Sequence, residues 1–500
     1  NAQLVTKQRS YWSRTARILM GKWSLLKPDL TKDIKTIHQM AVTEWENNNY
    51  HQAVLQYLKV TQFEDTKDNI QTYVLDAWER LGQCFWYLEL YLESAKCYEK
   101  LSELGEKYQK VIVSDKKKKI IDVAPKATYW SYRAYLQDFN NSKKQESKES
   151  YFKMLSKLTS KWPSSTYALN KTFDQAYEKE KLAEKEKNID TLQKLYEEAV
   201  VEYKNVQKEA EKFDLAQVFQ GKCYLRLAER IESIIAADKK TAEEIKNISL
   251  KAKEYYIKSK EILEQYLSYI QKNLLSRLEV ARNEARNTAI SYAYIYLGQV
   301  YMKLEEFPQA IKTFETLMEK YADNADVVSQ SQYYLCRIYF DMKESRKAKE
   351  IASQIDKKNI NLDPTARESQ YYSAIYNLVG ILYENEFYQI EKKLQTLDQD
   401  SEDYKKYQED AFEKQKQAAN YFYKWLRLKS TAKLENYRGI ANRLIRCGEI
   451  CLDKNNTEES ADFYKKAYPL LLKAMTFSQE EESLQRIKFQ ITECLVAQNK

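Results

Sequence analysis

The sequence predicts an all-α protein built from repeated pairs of helices. Only 8 glycines and 6 prolines occur in 500 residues, which is too few for the frequent turns of an all-β or doubly wound α/β fold. The strong helix formers Lys, Glu, Gln, Leu and Ala are abundant instead. In addition, one short pattern around a glycine recurs along the chain, which indicates repeated structural units.

The recurring pattern places a glycine three residues before an aromatic residue or a cysteine. In three of its occurrences a small residue lies 12 positions after the glycine, and an aromatic residue follows four positions later. The segments "LGQCF", "QGKCY", "LGQVY", "VGILY" and "CGEIC" carry the pattern at Gly82, Gly221, Gly298, Gly380 and Gly448.

The pattern predicts a helical hairpin whose two helices touch at the glycine. Beyond Gly298 come Ala310 and then Phe314, which are one helical turn apart and so lie on the same face of a second helix. A glycine lets the facing aromatic side chain approach closely, so Gly298→Leu is expected to overpack the hairpin at a cost of about 1 to 3 kcal/mol. Pro308 is expected in the first turn of the second helix, where a missing N–H costs little.

The other hairpins follow the same plan. Around Gly82 the small residue and the aromatic are Ser94 and Tyr98, and around Gly448 they are Ser460 and Tyr464. Two further units have Ala41 or Cys336 in place of the glycine. Adjacent units follow each other every 38 to 44 residues, which is the length of a structural repeat and too short for a domain.

This hairpin pattern resembles the tetratricopeptide repeat (TPR) family. Residues 292–324 form the best unit, although Ala322 stands where the family usually has proline. The units at 34–67, 75–108, 329–362 and 441–474 are recognisable but degenerate. The resemblance implies a right-handed α-solenoid in which the first helix of each hairpin lines a concave side that binds peptides or helices. The best unit matches the family at Leu297, Gly298, Tyr301, Phe307, Ala310 and Phe314.

Five segments are expected along the chain. Residues 1–32 are predicted to form an N-terminal helical segment, 33–165 the N-terminal TPR-like repeats, and 166–290 degenerate repeats with long helices. Residues 291–365 hold the best-matching repeats. Residues 366–500 hold the C-terminal repeats, with a charged insertion at 384–410 that separates the two helices of one unit.

The inventory of chemically active groups is poor. The two histidines, His38 and His51, lie in one hairpin, and no phosphate-binding glycine motif or G-x-S-x-G occurs. The seven cysteines have apolar neighbours and are predicted to be buried thiols. Cys447 and Cys451 lie one turn apart, yet no further ligand accompanies them. The sequence therefore predicts no catalytic, cofactor-binding or metal-binding residue, and the protein is not expected to be an enzyme.

The charges are numerous but balanced, with 81 basic and 73 acidic residues spread along the chain. The nearest candidates for nucleic-acid contact are the run Lys116–Lys119 and the arginine-bearing segment 276–289. The run is better explained as a solvated loop, and the segment alternates acids with bases, so nucleic-acid binding is not expected. No apolar stretch is long enough for a membrane span. The first residue, Asn1, is not Met, so the sequence does not exclude that a signal peptide was removed. The expected compartment is either the cytoplasm or the periplasm or cell envelope of a bacterium.

The resemblance places nine candidate partner-binding residues on the concave face. They lie on first helices and point away from the second, and several are of the aromatic, Met or Arg types that supply binding hot spots. The alternative is that these side chains pack against neighbouring hairpins. The Lys and Asn pair with which some family members clamp a chaperone's C-terminal carboxylate does not occur at the equivalent positions. The candidates are Trp45, Trp86, Tyr292, Gln299, Met302, Lys303, Tyr333, Arg337 and Phe340.

The predicted function is a non-catalytic scaffold that binds a partner protein or peptide along the groove, within a larger assembly. The alternative is a helical-repeat subunit whose enzymatic or nucleic-acid role is carried by 166–290 or 384–410. A strongly basic groove, or a pocket of converging carboxylates, would favour the alternative. An apolar groove of mixed charge would favour the scaffold.

Overall fold

The computed structural model describes residues 33–63, 67–108, 123–237, 241–273, 284–357, 363–429, 432–478 and 480–498, and within these ranges the chain is helical without strands. The predicted helical segment 1–32 and the run Lys116–Lys119 lie outside the described residues. Two compact units can be distinguished. The first holds the described residues up to Lys185 with Glu197–Ala216, and the second holds Glu186–Tyr196 with the described residues from Gln217 onward.

The helices of the N-terminal half follow each other in antiparallel pairs. A helical turn at Lys67–Asn69 and a π-helical stretch at Ile70–Val74 lead into the third helix. The helices are α1 (Ile34–Glu46), α2 (Tyr50–Val60), α3 (Leu75–Tyr87), α4 (Tyr91–Tyr108), α5 (Val123–Ser142), α6 (Gln145–Lys161), α7 (Thr166–Leu169), α8 (Lys171–Lys185) and α9 (Ile189–Lys204).

The helices of the C-terminal half are paired in the same way and end with a single helix. They are α10 (Phe213–Ala237), α11 (Ala242–Asn273), α12 (Glu284–Lys303), α13 (Phe307–Lys320), α14 (Ala325–Asp341), α15 (Ser345–Lys357), α16 (Arg367–Leu394), α17 (Glu402–Leu428), α18 (Leu434–Asp453), α19 (Thr457–Met475) and α20 (Glu481–Gln498).

In the five hairpins that carry the glycine pattern, the two helices touch at that glycine. A Cβ atom added to Gly298 of α12 would lie 2.4 Å from Cζ of Phe314 on α13. The equivalent Cβ on Gly82 would lie 2.6 Å from the ring of Tyr98, and no side chain fits at such distances. Pro308 occupies the first turn of α13, as predicted. These crossings confirm the predicted hairpins, and the described part of the chain is an all-α array of TPR-like hairpins.

Two serines near the crossings form a hydrogen bond that the sequence pattern did not indicate. Ser94 Oγ donates to the carbonyl oxygen of Gly82 at 2.8 Å, and Ser460 Oγ donates to that of Gly448 at 2.8 Å. Both serine side chains are buried. The small residue therefore does more than leave room, because its hydroxyl fixes one helix to the backbone of the other.

Two hairpins are longer than the others by the same number of residues. Gly221 of α10 faces Leu263 of α11, with Ser259 Oγ donating to the Gly221 carbonyl oxygen at 2.7 Å. Gly380 of α16 faces Phe422 of α17 in the same manner. In both hairpins the facing residue lies 42 positions after the glycine, whereas the short hairpins have 16. The added length extends both helices beyond the crossing and leaves the crossing itself unchanged.

The charged segment 384–410 belongs to one of these extensions. Its first part continues α16 as far as Leu394, and its last part begins α17 at Glu402. Residues 395–401 alone form the connection between the two helices. The segment is thus mostly helical within a lengthened hairpin.

Most of the short hairpins have a residue in the left-handed backbone conformation at the same position of their turns. After α12, Glu306 N donates to Tyr301 O at 2.8 Å and Glu305 N donates to Met302 O at 3.1 Å, which is a Schellman helix end. Such an end needs a left-handed residue, and Glu305 has φ of 60°. Non-glycine residues occupy this position in five short hairpins, namely Asn48, Glu89, Glu305, Lys343 and Asn455, and Lys143 between α5 and α6 also has a positive φ.

A buried charge network holds part of the first unit together. Asp174 of α8 is 3% exposed and accepts hydrogen bonds from Arg133 and Tyr132 of α5. Lys212 Nζ lies 2.9 Å from Asp174 Oδ1 and 2.6 Å from the hydroxyl oxygen of Tyr129. Two cations and two phenols therefore compensate one buried carboxylate and join α5, α8 and the segment before α10.

All seven cysteines are buried, as predicted. Burial raises the pKa of the Cys84, Cys336 and Cys447 thiols to about 12, far above that of an exposed thiol. These groups stay neutral at physiological pH and fill space in the core.

Candidate partner-binding groove

An open pocket of about 480 Å³ lies in the second unit between the first helices of two successive hairpins and the end of α17. We call it the α14–α17 pocket. Helices α14 and α16 supply most of its wall, and the last turn of α17 closes one end. Its lining residues are Tyr333, Arg337, Gln370, Ser373, Ala374, Asn377, Leu378, Trp425, Leu428 and Lys429.

Helical spacing explains why these side chains meet. On α14, Tyr333 and Arg337 are four residues apart and share one face. On α16, Gln370, Ala374 and Asn377 follow at intervals of four and three residues, so they also form one stripe. The hydroxyl of Ser373 on α16 donates to the carbonyl oxygen of Trp425 at 3.1 Å, which holds the end of α17 against the pocket.

The pocket combines aromatic surface with positive charge. Arg337 is 46% exposed, and its Nε lies 3.0 Å from Oδ2 of Asp341 on the same helix. Lys429 Nζ lies 4.6 Å from the centre of the Trp425 ring, a cation–π contact. Tyr333 packs beside Tyr371, with ring centres 6.2 Å apart. None of the lining residues is a carboxylate.

Two of the nine predicted residues, Tyr333 and Arg337, line this pocket. Phe340 is half-buried, and the Arg337 guanidinium lies 5.7 Å from the centre of its ring. Sequence reasoning missed Trp425 and Lys429, because both lie at the end of a second helix, where the family pattern places no ligand contacts. The glycine pattern identified Gly380 of α16 but did not single out Gln370 and Asn377.

The four candidates on α12 do not line the pocket. Gln299 is only 7% exposed, and Tyr292 and Met302 are half-buried. Lys303 is exposed, and its Nζ pairs with Glu232 Oε2 at 2.7 Å. Their part in binding a partner stays a prediction.

The two tryptophans of the first unit pack against their own neighbours. Trp45 is half-buried on the hydrophobic core, and the guanidinium of Arg80 lies 4.1 Å from its ring centre. Trp86 makes an edge contact with Trp130, with ring centres 5.9 Å apart. These contacts are of the kind expected from packing between hairpins, and partner binding by either tryptophan stays a prediction.

A larger cavity of about 730 Å³ lies beside α15 and the lengthened parts of α16 and α17. Its acidic side chains are paired within the protein: Lys349 Nζ lies 2.6 Å from Glu386 Oε1, and Lys414 Nζ lies 3.6 Å from Asp410 Oδ1. The stacked rings of Tyr383 and Tyr421 contribute apolar surface. The carboxylates of this cavity are therefore engaged in ion pairs, and its charge is mixed.

The part of the chain that the structure describes holds no group of three or more His, Cys, Asp or Glu side chains suited to a metal ion. Nε2 of His38 lies 2.8 Å from Oδ2 of Asp76, so this histidine is engaged within the first unit. No helix of the described ranges has the length and apolar character needed to cross a membrane.

Comparison with known proteins gives matches to solved structures only. No family model and no curated protein matches the chain. Yeast Tom70 is 14% identical, with 93% of this chain and 96% of that chain covered and a TM-score of 0.19. The human IFIT1 dimer with m7Gppp-AAAA is 10% identical, covering 97% and 93%, with a TM-score of 0.24. The P58(IPK) TPR domain is 10% identical, covering 78% and 99%, with a TM-score of 0.17. TM-scores this low give no support to a fold assignment, which rests on the helix crossings instead.

Proposed function

We propose that the protein is a non-catalytic scaffold that binds a partner protein on the face formed by its first helices, with the α14–α17 pocket as an anchoring point. One observation carries the proposal. Tyr333 and Arg337 of one hairpin and Gln370 and Asn377 of the next converge on a single open pocket.

The composition of the pocket suits the recognition of a protein side chain. Tyr, Trp and Arg are the residue types that most often dominate binding energy in protein interfaces, and Tyr333, Trp425 and Arg337 are all present. The volume lies within the range of about 300 to 1,000 Å³ that is usual for ligand pockets. Because the walls are helices fixed by hairpin packing, little conformational entropy is lost when a partner binds.

The mixed charge and the aromatic surface of the second unit support a scaffold over a catalytic or nucleic-acid-associated subunit. In the larger cavity each acidic side chain has a basic partner, as Glu350 does in Arg346, whose Nε lies 3.0 Å from Glu350 Oε1. Carboxylates arranged in this way stabilise helices and leave no carboxylate poised for acid and base chemistry.

Site-specific photocrosslinking in cells of the source organism tests the proposal. A benzophenone amino acid at Asn377 faces the pocket, and the same amino acid at Lys405, exposed on α17, serves as the matched control. We expect a crosslinked protein from position 377 that position 405 does not give. The product should be lost when Tyr333→Ala and Gln370→Ala are added. Identical crosslinking patterns from the two positions would refute the proposed binding face.

A further inference from the structure

We infer that the α14–α17 pocket receives an anionic side chain of the partner, either a carboxylate or a phosphorylated hydroxyl. The inference rests on the proposed function and names the chemistry of the group that is bound. Two cations line the pocket, Arg337 from α14 and Lys429 directly after the end of α17, and no lining residue is acidic.

Both cations are available to a ligand. Among the described residues, Arg337 pairs only with Asp341 of its own helix, an exposed pair of the kind that contributes little to stability. Lys429 lies against the Trp425 ring, and among the described residues no carboxylate lies within ion-pair distance of its Nζ. An incoming anion can therefore contact Lys429 without breaking an ion pair, and it can replace a weak pair at Arg337.

Two amides complete a set of hydrogen-bond donors. The side chains of Gln370 and Asn377 line the pocket from α16, and neither is hydrogen-bonded to any other described residue. An oxyanion has two or three acceptor oxygens, and each forms stronger hydrogen bonds than a neutral acceptor does. Cations from α14 and from the end of α17, together with amides from α16, match such a group better than they match a neutral or basic side chain.

The larger cavity differs from the α14–α17 pocket in the charge of its lining residues. There, Lys349 and Lys414 are paired with Glu386 and Asp410, so an incoming anion would compete with carboxylates already in place. The α14–α17 pocket has no such competitor on its walls. The larger cavity thus has acidic side chains among its lining residues, whereas the two cations of the α14–α17 pocket have none beside them on its walls.

Selection from a display library of random dodecapeptides tests the inference on the full chain. We expect peptides bound by the wild type to be enriched in Asp and Glu. We expect the enrichment to disappear, or to turn towards Lys and Arg, with the variant Arg337→Glu/Lys429→Glu. The variant Lys405→Glu/Lys465→Glu makes the same change in net charge at exposed positions outside the pocket, and it should select the same peptides as the wild type.

The selected peptides are then made with a fluorescent label and measured by polarisation. Replacing the shared acidic residue with Gln should weaken binding about tenfold or more, since a hydrogen bond to a charged group is lost. A phosphoserine at that position distinguishes the two sources of the anion: tighter binding than Glu assigns a phosphorylated partner, and weaker binding assigns a carboxylate.

The result that overturns the inference differs from the one that overturns the proposed function. Peptides that show no acidic preference, but are lost with Tyr333→Ala, would refute the anionic side chain and leave the binding face intact. A library in which no peptide is enriched over the Tyr333→Ala/Gln370→Ala variant would refute both.

Discussion

The close approach at Gly298 makes a quantitative prediction for the substitution Gly298→Ala. A Cβ atom there would lie 2.4 Å from Cζ and 2.6 Å from Cε2 of Phe314. The ring cannot retreat easily, because Phe314 is fully buried and stacks on Tyr334 with ring centres 4.9 Å apart. Alanine gains about 1 kcal/mol of helix propensity over glycine, and overpacking of a core costs about 1 to 3 kcal/mol.

Gly439 offers the matched control. It lies inside α18, and a Cβ atom there would contact only Nη1 of Arg443, at 3.6 Å, which is an ordinary van der Waals distance. Gly439→Ala should therefore keep the whole propensity gain of about 1 kcal/mol. The difference between the two substitutions removes the propensity term and leaves the overpacking cost of about 1 to 3 kcal/mol.

Amide hydrogen exchange resolves these effects locally, which matters in a repeat array whose hairpins need not unfold together. Protection of α12 and α13 should fall in Gly298→Ala relative to what the propensity gain alone would give, while protection of α18 should rise in Gly439→Ala. A difference of 1.4 kcal/mol corresponds to about a tenfold change in exchange rate. Equal stabilisation by both substitutions would show that the helices do not meet at Gly298 as described.

Three further predictions concern the turns, the buried network and the thiols. Lys343→Asn should stabilise the α14–α15 hairpin by up to about 1 kcal/mol, because φ of 62° suits asparagine better than lysine; the urea midpoint checks this, and Asn455→Lys should shift it the opposite way. Asp174→Asn should destabilise the first unit by about 3 to 5 kcal/mol by leaving Arg133 and Lys212 uncompensated; undiminished exchange protection of α8 would contradict this. Stability should also fall above about pH 9, because an unfolded thiol ionises there while burial holds the pKa of Cys336 at about 12; a urea midpoint that stays constant from pH 9 to 11 would count against it.

The helix crossings could be predicted from sequence because they depend on local spacing. Gly298 and Phe314 are 16 residues apart, and a short hairpin fixes how residues at that separation meet. The partner of Gly380 could not be found in this way, since it lies 42 residues on, beyond a charged stretch whose helical length no short pattern reveals.

The same distinction applies to the candidate site. Tyr333 and Arg337 were predicted because they share a face of one helix. Trp425 and Lys429 reach the pocket only because α17 runs past its crossing with α16 as far as Leu428. Gln299 has the position of a groove residue, yet tertiary packing leaves it 7% exposed.

The equal lengthening of the two long hairpins has a consequence for how such a protein can vary in evolution and in the laboratory. The crossing at Gly380 and Phe422 keeps the geometry of a short hairpin although many residues have been added beyond it. Length is therefore separable from stacking: residues can be gained or lost at the far end without moving the contacts between neighbouring repeats. The connection at 395–401 is accordingly a place where a tag or a reporter domain could be inserted while the α14–α17 pocket keeps its shape.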